Sequence, residues 1–333
     1  MRAAVAIGVN ERDPVSAIQP RDDWRLPAAG PGQVLVRVAA TTVNQHDLWA
    51  LRGVGVRPDS FPRILGCDVV GWDPEGNEVM VTGCFGDPDA GGGDETLDPK
   101  RSLVSEDLPG SFAEYTVVPA RNVIPKPARL TFREAACLNV GWSTTYRALF
   151  TRAAARPGER LLVQGAGGGV ATAAVAMARA AGLHVTVTTR SEAKRARALA
   201  LGAHEAVPTG EHLREPVDIV FDTVGAATFR HSLRSVRPGG RIVTSGATTG
   251  SDIPFELPRI FYHQVSIIGS TSGTRAETLR MLRFMDAADL RPVIDSTYPL
   301  ERVRDAFERL QAPDLFGNVV LDVATLSGAG SPC

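Results

Sequence analysis

The sequence predicts an α/β protein in which a β-rich domain is followed by a doubly wound parallel sheet with helices on both faces. Three observations lead to this fold class. The first third of the chain contains a run that alternates apolar and polar residues, as a half-buried strand does. From residue 130 or so, short apolar strands alternate with helices, which is the pattern of a parallel sheet. A glycine-rich turn joins one of these strands to its helix.

Composition and charge exclude several classes of protein. A chain of 333 residues has room for two domains, and 44% hydrophobic with 22% charged residues is a globular composition. The formal net charge is −1 and no basic stretch is present. We therefore expect no nucleic-acid partner and no membrane surface, and a small-molecule substrate instead.

The ends and the cysteines predict a cytoplasmic protein. The N-terminus runs directly into a strand-like pattern without a signal-peptide core, and no stretch is apolar enough to span a membrane. Cys67, Cys84, Cys137 and Cys333 form no CxxC pair. We expect reduced thiols rather than disulfides or a cysteine-rich metal site.

The β-rich part begins with a strand at Gln33–Ala39, which follows the turn signal Pro31-Gly32. Residues 83–110 are rich in Gly, Asp and Pro and predict a surface lobe with little regular structure. A strand returns at Ser111–Pro119.

The alternating part begins with a strand at Leu161–Gln164 and a helix of small residues from Val170 to Ala181. A second strand, His184–Thr188, precedes a helix with Ser191 as its N-cap that runs to Leu201 and ends at Gly202. The later strands are Asp218–Phe221, Arg241–Thr244 and Val265–Ile268. A helix lies between the first two of these strands and is ended by Pro238-Gly239-Gly240.

The tail contains helices at Arg275–Ala287 and Leu300–Leu310 and a last strand, Val319–Leu321. Because the tail is too short for a third core, we expect it to return to the first domain. The predicted boundaries are 1–125 for the first domain, 126–270 for the second, and 271–333 for the returning segment.

The turn after Leu161–Gln164 lies where a dinucleotide-binding fingerprint must lie, between a strand and a helix. Glycines allow backbone N–H groups to approach a pyrophosphate at the positive end of the helix dipole. The alternative is a flexible loop without a ligand. The predicted cofactor-binding residues of this turn are Ala166, Gly167, Gly168, Gly169 and Val170.

The end of the second strand favours NADP(H) over NAD(H). An NAD site usually has a carboxylate there, whereas this chain has Thr189, Arg190 and Ser191, with Lys194 one turn later. Arginine and serine can bind a 2′-phosphate through charge-assisted hydrogen bonds. The alternative is a solvated helix start, but cations at a helix N-terminus are unfavourable unless an anion accompanies them.

These motifs and four further stretches resemble the medium-chain dehydrogenase/reductase superfamily, and within it the zinc-independent quinone oxidoreductase (zeta-crystallin-like) branch. The further stretches are Val43–Leu48, Ile64–Gly71 and Gly141–Tyr146, together with Phe221–Gly225. The resemblance implies a GroES-like β-rich catalytic domain, a Rossmann domain, an active site in the cleft between them, and a homodimer that pairs through Val265–Gly269.

The resemblance also implies that no metal is bound. The zinc enzymes of the superfamily use a Cys-His-Cys set, and the matching positions here are Asn44, Cys67 and Val140. A catalytic zinc needs three protein ligands, so Cys67 is interpreted as a small buried residue. The structural zinc of the superfamily needs four cysteines in the lobe, where this chain has only Cys84.

Catalytic positions follow from the same resemblance. Asn44 is the expected hydrogen-bond donor toward substrate or nicotinamide, and Thr144 the residue beside the nicotinamide ring. Asp47 is expected to fix its loop. His46 is a proton donor, a surface residue or a ribose contact. Further expected cofactor contacts are Thr223, Gly246, Gly269, Ser270 and Asn318.

Three functions remain open at this stage. Without a Lewis acid, hydride transfer from NADPH to an electron-poor quinone, enone or enal is favoured over oxidation of an alcohol. The second is a pathway-specific zinc-free dehydrogenase or enoyl-thioester reductase, although such reductases often have a tyrosine where this chain has Gln45. The third is an NADPH-binding protein with little turnover.

Overall fold

Residues 1–253 and 255–324 are described by the computed structural model of this chain, which leaves Cys333 outside the described residues. The chain divides into two units, and each is described by itself. Unit one comprises residues 1–139, 294–312 and the described residues from Asn318 on; unit two comprises 140–293 and 313–317.

These divisions differ from the expected boundaries at 125/126 and 270/271. The helix over residues 275–287 belongs to unit two, where Glu277 forms an ion pair at 2.8 Å with Arg147. Both side chains of that pair are nearly fully buried. The chain therefore returns to unit one only at Ile294, and residues 313–317 belong again to unit two.

The strands are numbered along the chain. They are β1 (Ala3–Ala6), β2 (Ile18–Arg21), β3 (Gln33–Val43), β4 (Arg63–Ile64), β5 (Val70–Trp72), β6 (Glu78–Val81), β7 (Cys84–Phe85), β8 (Ser102–Leu103), β9 (Tyr115–Pro119), β10 (Val123–Pro125), β11 (Arg160–Val163), β12 (His184–Thr188), β13 (Glu205–Val207), β14 (Val217–Asp222), β15 (Val236–Thr244), β16 (Ser266–Gly269), β17 (Ile294–Pro299) and β18 (Asn318–Asp322).

The helices are numbered in the same way. They are α1 (Gln45–Leu51), α2 (Phe132–Ala136), α3 (Thr144–Tyr146), α4 (Gly169–Ala180), α5 (Glu192–Leu201), α6 (Phe229–Ser235), α7 (Leu257–Tyr262), α8 (Arg275–Ala287) and α9 (Val303–Gln311). The turns that flank α3, Leu138–Ser143 and Arg147–Arg152, are π-helical.

Unit one is built from antiparallel strands. Its largest sheet has the order β10-β6-β5-β3-β18-β17, with β9 also paired to β3, and only β17 and β18 run parallel. The lobe at 83–110 contains the short β7–β8 pair and otherwise turns, as its composition predicted. A small sheet, β2-β1-β4, completes the unit. The long strand β3 leads directly into α1, and this junction carries the residues that concern function.

Unit two contains a six-stranded parallel sheet in the order β13-β12-β11-β14-β15-β16. Side chains of successive residues point to opposite faces of a strand, and both faces are covered. Leu161 and Val163 of β11 pack with the alanine-rich face of α4. Leu162 of the same strand packs with Phe229 and Leu233 of α6. The expected doubly wound fold is therefore confirmed.

Two local predictions need correction. The helix before β15 ends at Ser235 rather than at Pro238-Gly239-Gly240. Those three residues instead lie inside β15, where the pairing with β14 shifts register. The elements that were not predicted include the strand β17 and the exposed helix α7, neither of which shows a clean apolar period. Among the described residues, no helix is long and apolar enough to cross a membrane.

Candidate functional site

Most of the expected cofactor residues lie at the carboxyl ends of the parallel strands, along one edge of the sheet in unit two. The strand order runs outward in both directions from β11 and β14, and ligands of open α/β sheets bind at such a switch point. At these ends lie Ala166–Val170 after β11, Thr189–Lys194 after β12, Thr223 after β14, Gly246 after β15, and Gly269 and Ser270 at the end of β16.

The glycine-rich turn has one position that requires glycine and one that faces open space. A Cβ at Gly167 would lie 2.5 Å from the carbonyl oxygen of Leu315, so no larger residue fits there. A Cβ at Gly168 would meet nothing within 4 Å. Gly168 is the extended N-cap of α4, and the N–H groups of the first helical turn adjoin this open space.

Lys194 lies against this turn. Its Nζ is 2.6 Å from the position that a Cβ of Gly167 would occupy. The Oγ of Ser191 accepts the backbone N–H of Lys194 at 3.3 Å and so caps α5 as expected. Thr189 is buried and accepts the N–H of Ser191, while Arg190 is exposed. The segment after β12 thus carries two cations and a hydroxyl, of which the Lys194 ammonium lies at the turn.

The two remaining expected contacts lie in different units. Thr144 is buried in α3 of unit two, and the hydroxyl of the adjacent Thr145 donates to the carbonyl of Val170 at 3.2 Å. This bond connects α3 to the glycine-rich turn. Asn318 is the buried first residue of β18 and belongs to unit one.

Asn44 and Asp47 hold the start of α1 in unit one. The Asp47 carboxylate accepts the backbone N–H groups of Asn44 and Gly66, each at 2.9 Å, which is the loop-fixing role expected for it. The Asn44 amide donates to Asp68 at 2.8 Å and to the hydroxyl of Thr42 at 3.1 Å. Because these bonds use both amide hydrogens, Asn44 has no amide hydrogen left for a ligand.

His46 lies between a thiol and a carboxylate. Its Nδ1 is 3.2 Å from the sulfur of Cys67, and its Nε2 is 3.4 Å from Oε1 of Glu106. Cys67 is buried, as expected, and burial raises the pKa of its thiol. The charge of ionised Cys67, and then hydrogen bonds to Cys67 and Glu106, raise the pKa of His46.

The same cluster contains three residue types that can bind a metal ion. One ligand atom each from His46, Asp47 and Cys67 lie within 4.8 Å of one another. Both oxygens of Asp47, however, accept backbone N–H groups, and the thiol of Cys67 donates to the carbonyl of Val104 at 3.3 Å. A cation would have to break these bonds.

Sequence reasoning missed Glu106, Asp68 and Leu315. Glu106 lies 60 residues from His46 along the chain, in the lobe that carries no periodic signal. Asp68 adjoins Cys67 in one of the recognised stretches, and that adjacency was the available signal. Leu315 acts through its backbone oxygen, which no sequence pattern reports.

Two protein families match this chain. The alcohol dehydrogenase GroES-like domain matches residues 30–128, and the zinc-binding dehydrogenase family matches residues 169–287. The first match confirms the GroES-like character expected for the β-rich domain.

Curated relatives match over nearly the whole chain. A quinone oxidoreductase of Lama guanicoe is 30% identical, over 95% of this chain and 96% of its own length. An acryloyl-coenzyme A reductase of Metallosphaera sedula is 31% identical, over 96% of this chain and 99% of its own length.

Solved structures agree in fold. An NAD-dependent alcohol dehydrogenase superposes with a TM-score of 0.89 at 32% identity, covering 97% of this chain and 100% of its own. The crotonyl-CoA carboxylase/reductase AntE in complex with NADP superposes with a TM-score of 0.89 at 25% identity, covering 98% of this chain and 95% of its own.

Proposed function

The chain belongs to the medium-chain dehydrogenase/reductase superfamily, and from this membership we propose that it is an NADPH-dependent reductase of electron-poor quinones, enones or enals that works without a catalytic metal. The observation that carries the proposal is the position of the Lys194 ammonium beside Gly167 of the glycine-rich turn, after a strand end that also carries Ser191 and Arg190. An ammonium, a hydroxyl and a guanidinium are groups that bind a 2′-phosphate through charge-assisted hydrogen bonds.

The residues of unit two fit a dinucleotide. Space opens in front of Gly168 at the positive end of the α4 dipole, where a pyrophosphate is stabilised. Lys194 and Arg190 supply positive charge at the end of β12. Bound NADPH supplies the hydride. The NADP complex of AntE supports this cofactor, whereas the similar alcohol dehydrogenase is described as NAD-dependent, so the phosphate contact needs direct measurement.

A catalytic zinc does not fit the residues of this chain. Of the three positions that the zinc enzymes use, one is Asn44, whose amide is bonded to Asp68 and Thr42, and another is Val140, which offers no ligand atom. Cys67 alone remains, and it serves as a thiol donor to Val104. Without a Lewis acid, an acceptor that is already electron-poor is the reactive class.

His46 is the group in unit one best suited to supply the proton that completes such a reduction. Its side chain is 29% exposed, while Cys67 and Asp47 are buried. A positioned imidazolium can protonate the enolate that remains after hydride arrives at the conjugated carbon. Asn44 then helps to orient this loop through Asp68 rather than donating to the substrate.

A second candidate function is reduction of an enoyl thioester. The observation that favours it is the similarity to the acryloyl-coenzyme A reductase, which is as great as that to the quinone oxidoreductase. The chemistry at the reacting carbons is the same, so the two candidates differ in the rest of the substrate.

We also propose a cytoplasmic homodimer. Strand β16 is an exposed edge of the parallel sheet, and the neighbouring helix α7 exposes Leu257, Phe261 and Tyr262. An unpaired edge next to an apolar helix can pair with the same edge of a second copy. Cys67 and Cys137 are free thiols, as in a reducing compartment.

The deciding experiment measures consumption of NADPH and of NADH by the purified protein with EDTA present. The acceptors are a para-quinone, an enone, an enal and a short enoyl-CoA. Turnover with NADPH and the first three acceptors is the expected result, and preference for the enoyl-CoA selects the second candidate. Tight NADPH binding with no turnover on any acceptor would leave only a non-catalytic role.

A further inference from the structure

The contacts of His46 allow a self-consistent placement of the hydrogens in its cluster. The sulfur of Cys67 lies 3.3 Å from the carbonyl oxygen of Val104, which can only accept, and a thiol hydrogen directed there satisfies both groups. The lone pairs of the sulfur then face Nδ1 of His46 at 3.2 Å. For this contact to be a hydrogen bond, Nδ1 must carry a hydrogen.

The other ring nitrogen also carries a hydrogen. Nε2 faces the carboxylate of Glu106 at 3.4 Å, and a carboxylate accepts but does not donate. A neutral Nε2 would place its lone pair against this negative charge. With hydrogens on both nitrogens, His46 is an imidazolium beside a neutral thiol.

The pKa shifts of Cys67 and His46 have separate causes. Burial raises the pKa of Cys67, which favours the protonated sulfur, and the nearby carboxylate of Asp47 acts in the same direction. The pKa of His46 is raised by the charge of ionised Cys67 first, lowered by burial, and raised by its hydrogen bonds to Cys67 and Glu106 and by the charge of Asp47. With Cys67 a thiol, its charge is absent, and the hydrogen bonds and the charge of Asp47 are what oppose burial.

Glu106 is itself held firmly. Its Oε2 accepts the backbone N–H of Leu103 at 2.7 Å. The guanidinium of Arg63 donates to the backbone carbonyls of Ser105 and Glu106. Ser105 has a φ of +75°, a left-handed conformation that is uncommon outside glycine. The contacts of Arg63 thus support an uncommon backbone conformation at Ser105, directly before Glu106.

We propose that Glu106 is a positioning residue for His46: it accepts the Nε2 hydrogen and keeps the imidazole doubly protonated until the reaction takes that proton. This inference rests on the proposed reductase function. Hydride from NADPH forms a C–H bond at the β-carbon of an enone, and the C=C electron pair moves to the carbonyl oxygen as an enolate. The Nε2–H bond breaks, its proton forms the second C–H bond, and solvent reprotonates His46.

The charged groups around His46 set its pH dependence. They are Glu106 and Asp47, which favour the imidazolium, Cys67, which is a thiol, and Arg63, which is bonded to the loop of Glu106. Because the reaction consumes the protonated form, kcat falls as the pH rises through the pKa of His46. Removing the Glu106 charge moves that fall to a lower pH.

The test compares Glu106→Gln with Asp107→Asn, which removes the adjacent exposed carboxylate. In protein labelled with ¹⁵N-histidine, the His46 signal is identified among the six histidines through His46→Gln. At pH 8, wild type and Asp107→Asn are expected to show imidazolium shifts at His46, and Glu106→Gln a neutral ring. For the enone, kcat of Glu106→Gln falls about 10-fold or more while KM for NADPH is unchanged, and Glu106→Asp restores part of it.

Three outcomes distinguish the role of Glu106 from the proposed reductase function. A His46 signal and a kcat that are the same in Glu106→Gln and Asp107→Asn would overturn the role of Glu106 even if the wild type is an active reductase. A wild type that reduces no acceptor would refute the proposed function, while the NMR comparison still decides whether Glu106 holds the proton. Stoichiometric zinc bound through His46 would contradict both.

Discussion

The ammonium of Lys194 occupies the space beside Gly167 that a side chain would otherwise fill: a Cβ at Gly167 would lie 2.6 Å from Nζ. On its other side, the same Cβ would lie 2.5 Å from the carbonyl oxygen of Leu315. Gly168, one residue later, has open space instead. The two neighbouring glycines are therefore required for different reasons. The fold requires Gly167, and we propose that the ligand requires Gly168.

The two glycines can be separated by mutation. Gly168→Val is expected to abolish binding of both NADPH and NADH, because its side chain enters the space proposed for the pyrophosphate. Its thermal midpoint changes little, since no described atom lies within 4 Å of the new Cβ. Gly167→Ala is expected to lose stability, by about 1–3 kcal/mol, through overpacking.

Calorimetric titration and thermal unfolding measure these effects. Gly8→Val is the control, since Gly8 has an ordinary φ and open space around its Cβ. Undiminished cofactor binding in Gly168→Val would mean that the dinucleotide does not lie on this turn.

Cofactor preference is expected to depend on Arg190. Arg190→Ala should weaken NADPH binding by about 1–3 kcal/mol, because a charge-assisted hydrogen bond to the 2′-phosphate is lost. NADH binding should remain nearly unchanged. Dissociation constants for both cofactors check this, with the exposed Arg214→Ala as a control on the same unit. Equal losses for the two cofactors would contradict a phosphate contact.

Sequence periodicity predicted the elements of unit two better than it predicted the side-chain contacts of the site in unit one. The bounds of α8 and the capping of α5 by Ser191 follow from local signals, because caps and apolar periods act over a few residues. The contact between His46 and Glu106 joins the start of α1 to an irregular lobe. Such a contact depends on tertiary packing, and nothing periodic in either segment reports it.

Activity is expected to be independent of zinc. The His46–Asp47–Cys67 cluster is already hydrogen-bonded, so neither EDTA nor added zinc should change kcat. Cys67→Ala should leave the metal content of the purified protein unchanged and substoichiometric. Elemental analysis before and after dialysis against chelator provides the measurement. One zinc per chain, lost together with turnover, would disprove the metal-free mechanism.

Stability is expected to fall in mild acid because of His204. Its ring stacks on His184 with centroids 4.3 Å apart, and its Nδ1 accepts the backbone N–H of Val185 at 2.9 Å. Burial, and then the charges of His184 and Arg179, lower its pKa from 6.5. The unfolded chain thus binds this proton more readily than the folded protein does. The contribution of His204 to the free energy of unfolding is therefore constant above about pH 6.5 and decreases as the pH falls below that value.

Urea unfolding at pH 7.5 and pH 5 measures this dependence. His204→Asn keeps a side-chain acceptor for Val185 but cannot be protonated, so the loss of stability between the two pH values should be smaller in this variant. His212→Gln, at an exposed position, should behave as wild type. Equal losses in wild type and His204→Asn would assign the pH dependence to other groups.

The proposed dimer is expected to depend on the edge strand β16. Ile267 is 37% exposed there, and Phe261 and Tyr262 of α7 are 69% and 78% exposed. Ile267→Lys places a charge on the edge, which opposes pairing with a second copy, so light scattering should show a monomer. Leu199→Lys, on exposed α5, should remain a dimer. A wild type that is monomeric at all concentrations would remove β16 as an interface, and a dimer that survives Ile267→Lys would place the interface elsewhere.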